Sequence, residues 1–421
     1  AGQGGEISRA PAGTPGTHGG DASSELVYTK NAASLDARVE ATAGISFGQD
    51  ESGLLIEAAH ARSVADLRNE GGSVSIDYDT TGAAGTTAFV GVDRAGAGGS
   101  ATSVLRATTS GDGQSIAIGA DESSTVGGRG GSDLPFSDVL FAGNGGEGRT
   151  EATGIAEGDS HVDVRAFATG GVGGTGGRAF DGGTNGNGGD AIAVARGSNA
   201  GASAVEVLAS ATGGAGGGNQ SSDRDMRGGD GGSGSAIAHG ESTGGGDVTV
   251  TARVTGGRGT EGGVGGDAVV VDGASGQTTG RLRLVQEAIG GSYVSGIGGG
   301  ATSSIDIRDT NAARLEVESL AVSGSGTTTG GARASASAIG ANDVEVTARV
   351  RASSGIRGGA VSVGPVRGES TGGGDVVVRA EIGGDDFRGG FVGALDGGDV
   401  TIEDAVDGRT TGRLELIRLD P

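Results

Sequence analysis

The chain has 421 residues, a formal net charge of −23, 96 Gly, 5 Pro, 3% aromatics, and neither Cys nor Trp. That composition excludes a single core of large side chains, a disulfide framework and thiolate metal sites, and its acidity argues against nucleic acid as a partner. No apolar stretch reaches the roughly 20 residues of a membrane span, and a start at Ala1 rather than Met is read as a removed leader and export.

Residues 1–20 hold Pro11 and Pro15 among glycines and form an arm too poor in apolar residues to fold alone. Such an arm docks either on a neighbouring copy's sheet edge or on its own domain. Residues 21–95 are expected to form an N-terminal β cap or small β domain. Within them, Leu54 to Asn69 reads equally as a helix or as two short strands.

Residues 96–421 are tandem repeat. Val162-Asp-Val-Arg-Ala-Phe-Ala-Thr-Gly-Gly171 aligns without gaps with Val205 to Gly214 and with Val248 to Gly257, at a spacing of 43 residues. Gly154, Gly197 and Gly240 share that spacing. Further on the repeat shortens, and the equivalent apolar positions fall at Leu282, Leu315, Val344, Val376 and Leu414. Each unit reads as a small-residue strand, a polar turn, a second strand marked V-x-V or L-x-L, and a Gly-rich loop. The loop Gly170 to Gly177 has a three-residue G-G-X period, compatible with polyproline-II-like runs packed through their glycine faces.

Stacking such units predicts an all-β fold, a β-solenoid of the parallel β-helix kind, with a β-sandwich or jelly-roll as the alternative. Of 30 basic residues Lys30 is the sole lysine. The remaining arginines suit bidentate pairing with the abundant carboxylates, although codon bias would give the same composition.

No constellation for catalysis is visible. His18, His60, His161 and His239 are scattered without metal-ligand spacing, and no nucleophile elbow or phosphate loop is present. The chain is therefore read as not an enzyme and as needing no cofactor. Calcium is the one metal with a foothold. The motif G-G-x-G-x-D is approached at Gly127 to Leu134, but Asp133 falls one position late. Asp181, Asn185 and Asp190 remain as isolated calcium candidates; the competing reading has these side chains, as turn residues, bonding their own backbone.

The motifs A-T-G-G-x-G-G (168–174 and 211–217) and S-T-G-G-G-D-V (242–248 and 370–376) resemble those of bacterial exported Gly-rich tandem-repeat surface and appendage proteins. The resemblance covers residues 95–421 and implies secretion and assembly. It implies a self-assembling subunit of an extracellular filament, tube or sheath; the alternative is a monomeric or cell-attached adhesin that contacts a surface or glycan. The C-terminal strand, with Leu414, Leu416, Ile417 and Leu419, is the expected joint between copies, because solenoid ends present unpaired strand edges. Homopolymer formation follows from repeated head-to-tail contacts.

Overall fold

The structure, a computed structural model, describes residues 19–46, 57–87, 94–119, 123–132, 141–176, 183–218, 227–293, 296–384, 399–402 and 406–419. Every regular element among these is a strand, and all the strand pairing is parallel. Two large sheets run the length of the molecule, and each follows a path of eleven strands. Each coil gives its first strand to one sheet and its second to the other. The first sheet opens with Ala22–Lys30, Ala61–Asn69 and Ala101–Thr109, and closes with Val361–Ser370 and Val400–Ile402. The second opens with Ser34–Thr42 and Ser73–Thr81, and closes with Val376–Gly384 and Leu414–Leu419. The β-solenoid expectation holds. Parallel ladders between successive repeats leave no room for the antiparallel hairpins of a sandwich or jelly-roll.

The predicted equivalences are register partners. Val162, Val205, Val248, Leu282, Leu315, Val344, Val376 and Leu414 form one continuous row across the second sheet. The row continues through Ile116 and Val74 to Leu35. The segment read as a cap or small domain therefore supplies the first coils of the same column. Within it, Ala61–Asn69 is a strand and not a helix. Its inward residues Ala61, Ser63, Ala65, Leu67 and Asn69 are all buried.

The core is a thin column between the sheets. In His161–Thr169 the alternation buries Val162, Val164, Ala166 and Ala168. Opposite the V-x-V side chains the first sheet carries glycine: Gly154, Gly197 and Gly240 are register partners. A Cβ at Gly197 would lie 2.8 Å from Val207 Cγ2 and 3.1 Å from Val205 Cγ1. Glycine here is a space requirement set by the β-branched row it faces.

The Gly-rich runs form a third structural part. The run leaving each second strand packs on the run that leads into the next first strand. Gly128 N donates to Gly99 O (2.7 Å), Gly146 N to Gly128 O (2.8 Å), Gly171 N to Gly146 O (2.8 Å) and Gly189 N to Gly171 O (2.8 Å). The same zigzag continues through Gly214, Gly232, Gly257, Gly266, Gly291, Gly299 and Gly324 to Gly330. In Gly170 to Thr175, residues 170 and 173 face the carbonyls of Gly189 and Gly186, while 171 and 174 face those of Gly128 and Gly131. The third residue of each triplet, as at Val172, points to solvent. A three-residue contact period is that of polyproline II, which makes no hydrogen bonds within a run and here makes them between runs. This slab satisfies backbone groups that a loop would leave to water.

Each sheet has a short irregularity that a buried polar side chain fills. In the first sheet the break lies between Val271 and Ala274, with Asp272 at φ 49°. Gln286 is fully buried there: its Oε1 accepts from Ala274 N (3.1 Å) and its Nε2 donates to Ser304 O (2.9 Å). In the second sheet the break lies between Ile118 and Ser124. Tyr78 Oη accepts from Phe167 N (2.8 Å), and Ser123 Oγ accepts from Tyr78 N (3.2 Å).

Candidate functional site

His18 lies outside the described residues. His60 Nδ1 accepts from Ser100 N at 3.0 Å, and His239 Nδ1 is 3.0 Å from Ser275 Oγ. His161 is an exposed strand residue. Among the described residues no group of three or more His, Cys, Asp or Glu is placed to hold a metal ion.

Of the calcium candidates, Asp181 lies outside the described residues. Asn185 is buried, its Oδ1 accepting from Gly176 N (2.5 Å) and its Nδ2 donating to Arg227 O (3.2 Å). Asp190 Oδ1 accepts from both the backbone N and the Oγ of Ser233 at 2.8 Å. Both therefore spend oxygens on backbone distant in sequence, and not on the backbone of their own turns. The same device repeats along the slab. Asn144 Oδ1 accepts from Asn187 N (2.9 Å), Asn187 Oδ1 from Asp230 N (2.9 Å), and Asp230 Oδ1 from Val264 N (2.8 Å). Each Asn or Asp thus clips its coil to the next.

Beside these clips lies an open groove of about 420 Å³, lined by Arg94, Phe141, Asn144, Thr184, Asn187 and Arg227 among others. The Arg94 guanidinium lies 4.8 Å from the Phe141 ring centre, a cation–π contact. Arg227 is tied to Asp230 at 3.2 Å.

Charge is concentrated on the outer face of the second sheet, where Arg and Glu of neighbouring strands pair, mostly on the diagonal. Arg281 grips Glu316 through two bonds (2.9 and 2.5 Å). Arg314 holds Glu316 of its own strand (2.6 Å) and Glu345 of the next (2.9 Å). Arg379 reaches back to Glu345, and Arg349 bridges Glu318 and Glu381 (2.6 Å each). Burial pushes the Glu316 carboxyl up, but bonding to Arg281 and the charges of Arg281 and Arg314 outweigh it and hold the carboxyl below its ordinary value. The bidentate Arg–carboxylate pairing expected from composition is present in this lattice.

The two ends of the column expose apolar residues. At one end Leu26, Val27 and Tyr28 are 36–64% exposed, and among the described residues the strands Ala22–Lys30 and Ser34–Thr42 each pair on one side only. At the other end Leu414, Leu416 and Leu419 are 43–51% exposed, and among the described residues their strand pairs only with Val376–Gly384. Ile417 is half-buried on the outer face. Leu414 and Leu416 continue the inward rows of Val376 and Val378. They occupy core rows over which no described coil follows, whereas Ile417 and Leu419 point outward. Leu26 and Tyr28, whose register partners are Ala65 and Leu67, are the corresponding core positions at the first end. They were not singled out in the sequence. The N-terminal arm lies outside the described residues up to residue 18.

Comparison with protein-family models, curated proteins and solved structures gave no match.

Proposed function

We propose that the protein is a structural subunit that assembles with copies of itself into an extracellular filament, tube or sheath. The observation that carries this reading is the pair of solenoid ends, where strands with one free edge among the described residues hold Leu26, Tyr28, Leu414 and Leu416 exposed in core rows. An open edge that presents both backbone groups and apolar side chains is a template for association. Stacking on it adds only nearest-neighbour contacts of the kind the column already makes. The carboxylates that line the outside suit an acidic, soluble exported surface. Electron microscopy and sedimentation of the purified protein test the reading. Elongated assemblies that grow with protein concentration are expected; monodisperse particles at every salt and protein concentration would refute it.

A second reading, a surface or glycan adhesin, is favoured by the groove at Arg94 and Phe141. Its aromatic ring, guanidinium groups and carboxamides are the groups that recognise sugar hydroxyls and carboxylates. It predicts saturable glycan binding by the monomer, lost in Phe141→Ala.

A further inference from the structure

The ends carry charge as well as apolar surface, and those charges fall on the same rows as the internal lattice. Tracing register partners across the second sheet places Ser34 and Arg413 on the row of Arg281 and Arg314. It places Asp36 and Glu415 on the row of Glu316 and Glu345, and Arg38 and Ile417 on the row of Glu318 and Arg379. Inside the column two diagonal rules join neighbouring strands, beside the directly opposite pairs Arg253–Glu287 and Arg349–Glu381. An Arg pairs with the carboxylate two residues further along on the following strand, as Arg314 does with Glu345 and Arg281 with Glu316. An Arg also pairs with the carboxylate two residues back on the preceding strand, as Arg379 does with Glu345.

The terminal strands hold one half of each rule. Arg413 pairs with Glu415 of its own strand at 2.9 Å, as Arg314 pairs with Glu316, but no described strand follows it to supply the second carboxylate. At the other end Arg38 pairs with Glu40 of its own strand, and Asp36 accepts only from Ser34 Oγ (3.0 Å) among the bonds of its own strand. If the Ser34–Thr42 strand of a second copy follows Leu414–Leu419 in the running register, both rules are completed. Asp36 then stands to Arg413 as Glu345 stands to Arg314, and Arg38 stands to Glu415 as Arg379 stands to Glu345. The apolar rows continue as well. Leu35 succeeds Leu414 and Ala37 succeeds Leu416, while in the first sheet Leu26 succeeds Val406 and Tyr28 succeeds Gly408. At the end of the strand Arg418 continues the inward row of Ala380 and meets Val39, and Leu419 meets Glu40; neither position gains an ion pair across the joint.

We propose that copies join head to tail in this one register, with Arg413–Asp36 and Arg38–Glu415 as ion pairs across the joint and the two sheets continuous through it. The inference rests on the self-assembly reading and specifies its interface. The eleven coils of the described residues, at about 4.8 Å each, give the assembly an axial repeat of about 53 Å.

The test compares the full-length wild type with Asp36→Arg, Arg413→Asp and the double exchange Asp36→Arg/Arg413→Asp by sedimentation and electron microscopy. All the altered residues are exposed, and unchanged far-UV circular dichroism checks their folding. Each single reversal is expected to raise the critical concentration for assembly about tenfold, and the double exchange to restore it. The absence of Cys permits an independent check. Oxidised Glu40→Cys/Leu419→Cys, paired in the joint, is expected to give covalent multimers on a denaturing gel, whereas the off-register Ser34→Cys/Leu419→Cys does not. If the wild type assembles but the reversals and the cysteine pairs do not discriminate, or the repeat is not near 53 Å, this joint is wrong and self-assembly stands. If the wild type stays monomeric at all concentrations, because the chain's own terminal segments cover its ends or for any other reason, both are overturned.

Discussion

Replacing Gly197 with Ala tests whether the column is as narrow as the facing rows imply. The new Cβ would lie 2.8 Å from Val207 Cγ2, 3.1 Å from Val205 Cγ1 and 3.2 Å from Val162 Cγ1. Carbon atoms prefer separations of about 3.5–4.0 Å. The strands therefore have to part by several tenths of an ångström, while both are pinned to neighbours above and below. Overpacking of this kind costs about 1–3 kcal/mol, offset by about 0.4–1 kcal/mol from the stiffer unfolded chain. A net loss of about 1–2 kcal/mol is expected. Val207→Ala alone costs about 2 kcal/mol through two lost carbon groups and the void they leave. Combined with Gly197→Ala, part of that void is refilled, so a favourable coupling of about 1 kcal/mol is expected. Gly383→Ala, where a Cβ meets nothing within 4 Å, is the control and leaves stability nearly unchanged. Denaturation midpoints give the overall effect. Because a solenoid can open coil by coil, amide exchange in Ala191–Asn199 and Val205–Thr212 gives the local one. If Gly197→Ala matches Gly383→Ala and shows no coupling to Val207, the explanation of the glycine row fails.

Three further outcomes follow from the same construction. In the slab, a Cβ at Gly171 would run into the Gly128 carbonyl, so Gly171→Ala should disrupt several inter-run hydrogen bonds and cost about 2–4 kcal/mol; Val172→Ala, one residue on and exposed, should cost nothing measurable by thermal melting. Gln286→Leu strips the Ala274 amide and the Ser304 carbonyl of buried partners, and a loss of about 2–4 kcal/mol with faster amide exchange at Ala274 is expected. Burial pushes the Tyr78 hydroxyl up from 10.0 to about 12, against the lowering effect of its bonds to Phe167 and Thr150. Folding therefore favours the protonated phenol: that stability is fully present below about pH 10 and is lost as pH rises through about 12, some 3 kcal/mol in all. Ultraviolet titration with denaturation at pH 8–12 checks this, and Tyr78→Phe should remove that alkaline loss while lowering stability at pH 8.

The repeat region was readable because its inward rows are monotonous. The V-x-V and L-x-L positions from Val162 to Leu414 recur as register partners, and the shortening of the unit alters loop length without moving a row. The three-residue glycine period likewise matches the contacts of the slab. The first coils were harder because their inward residues are mixed. In Ala61–Asn69 the core positions include Ser63, whose hydroxyl joins a buried chain through Thr80, Ser103, Thr125 and Thr150 at 2.7–2.8 Å. They also include Asn69, whose side chain bonds the Ala32 backbone. Polar groups facing inward blur the alternation that marks a strand, and Ala61, Val64, Ala65 and Leu67 then imitate a helical stripe. Gly154, Gly197 and Gly240 were visible as a spacing, but their cause lies in a row about ten residues away on the opposite sheet.

The ends differ in how they could be read. Leu414 and Leu416 stand out in sequence because they close an apolar strand, while Leu26 and Tyr28 sit in a stretch without repeat identity. Only the register shows that they occupy equivalent rows. The same holds for charge. Arg413, Glu415, Asp36 and Arg38 are unremarkable among 30 basic and 53 acidic residues until the interior pairs fix which neighbour each position requires. A column held by nearest-neighbour contacts has the same requirement at its boundary as inside, since a coil cannot distinguish a following coil of its own chain from one of another copy. Arg314 has two carboxylate partners on successive strands, and Arg413, in the same row, has one. Among the described residues Arg413 lacks a second carboxylate and Leu414 lacks a following coil, and one strand, Ser34–Thr42, carries the residue types that supply both.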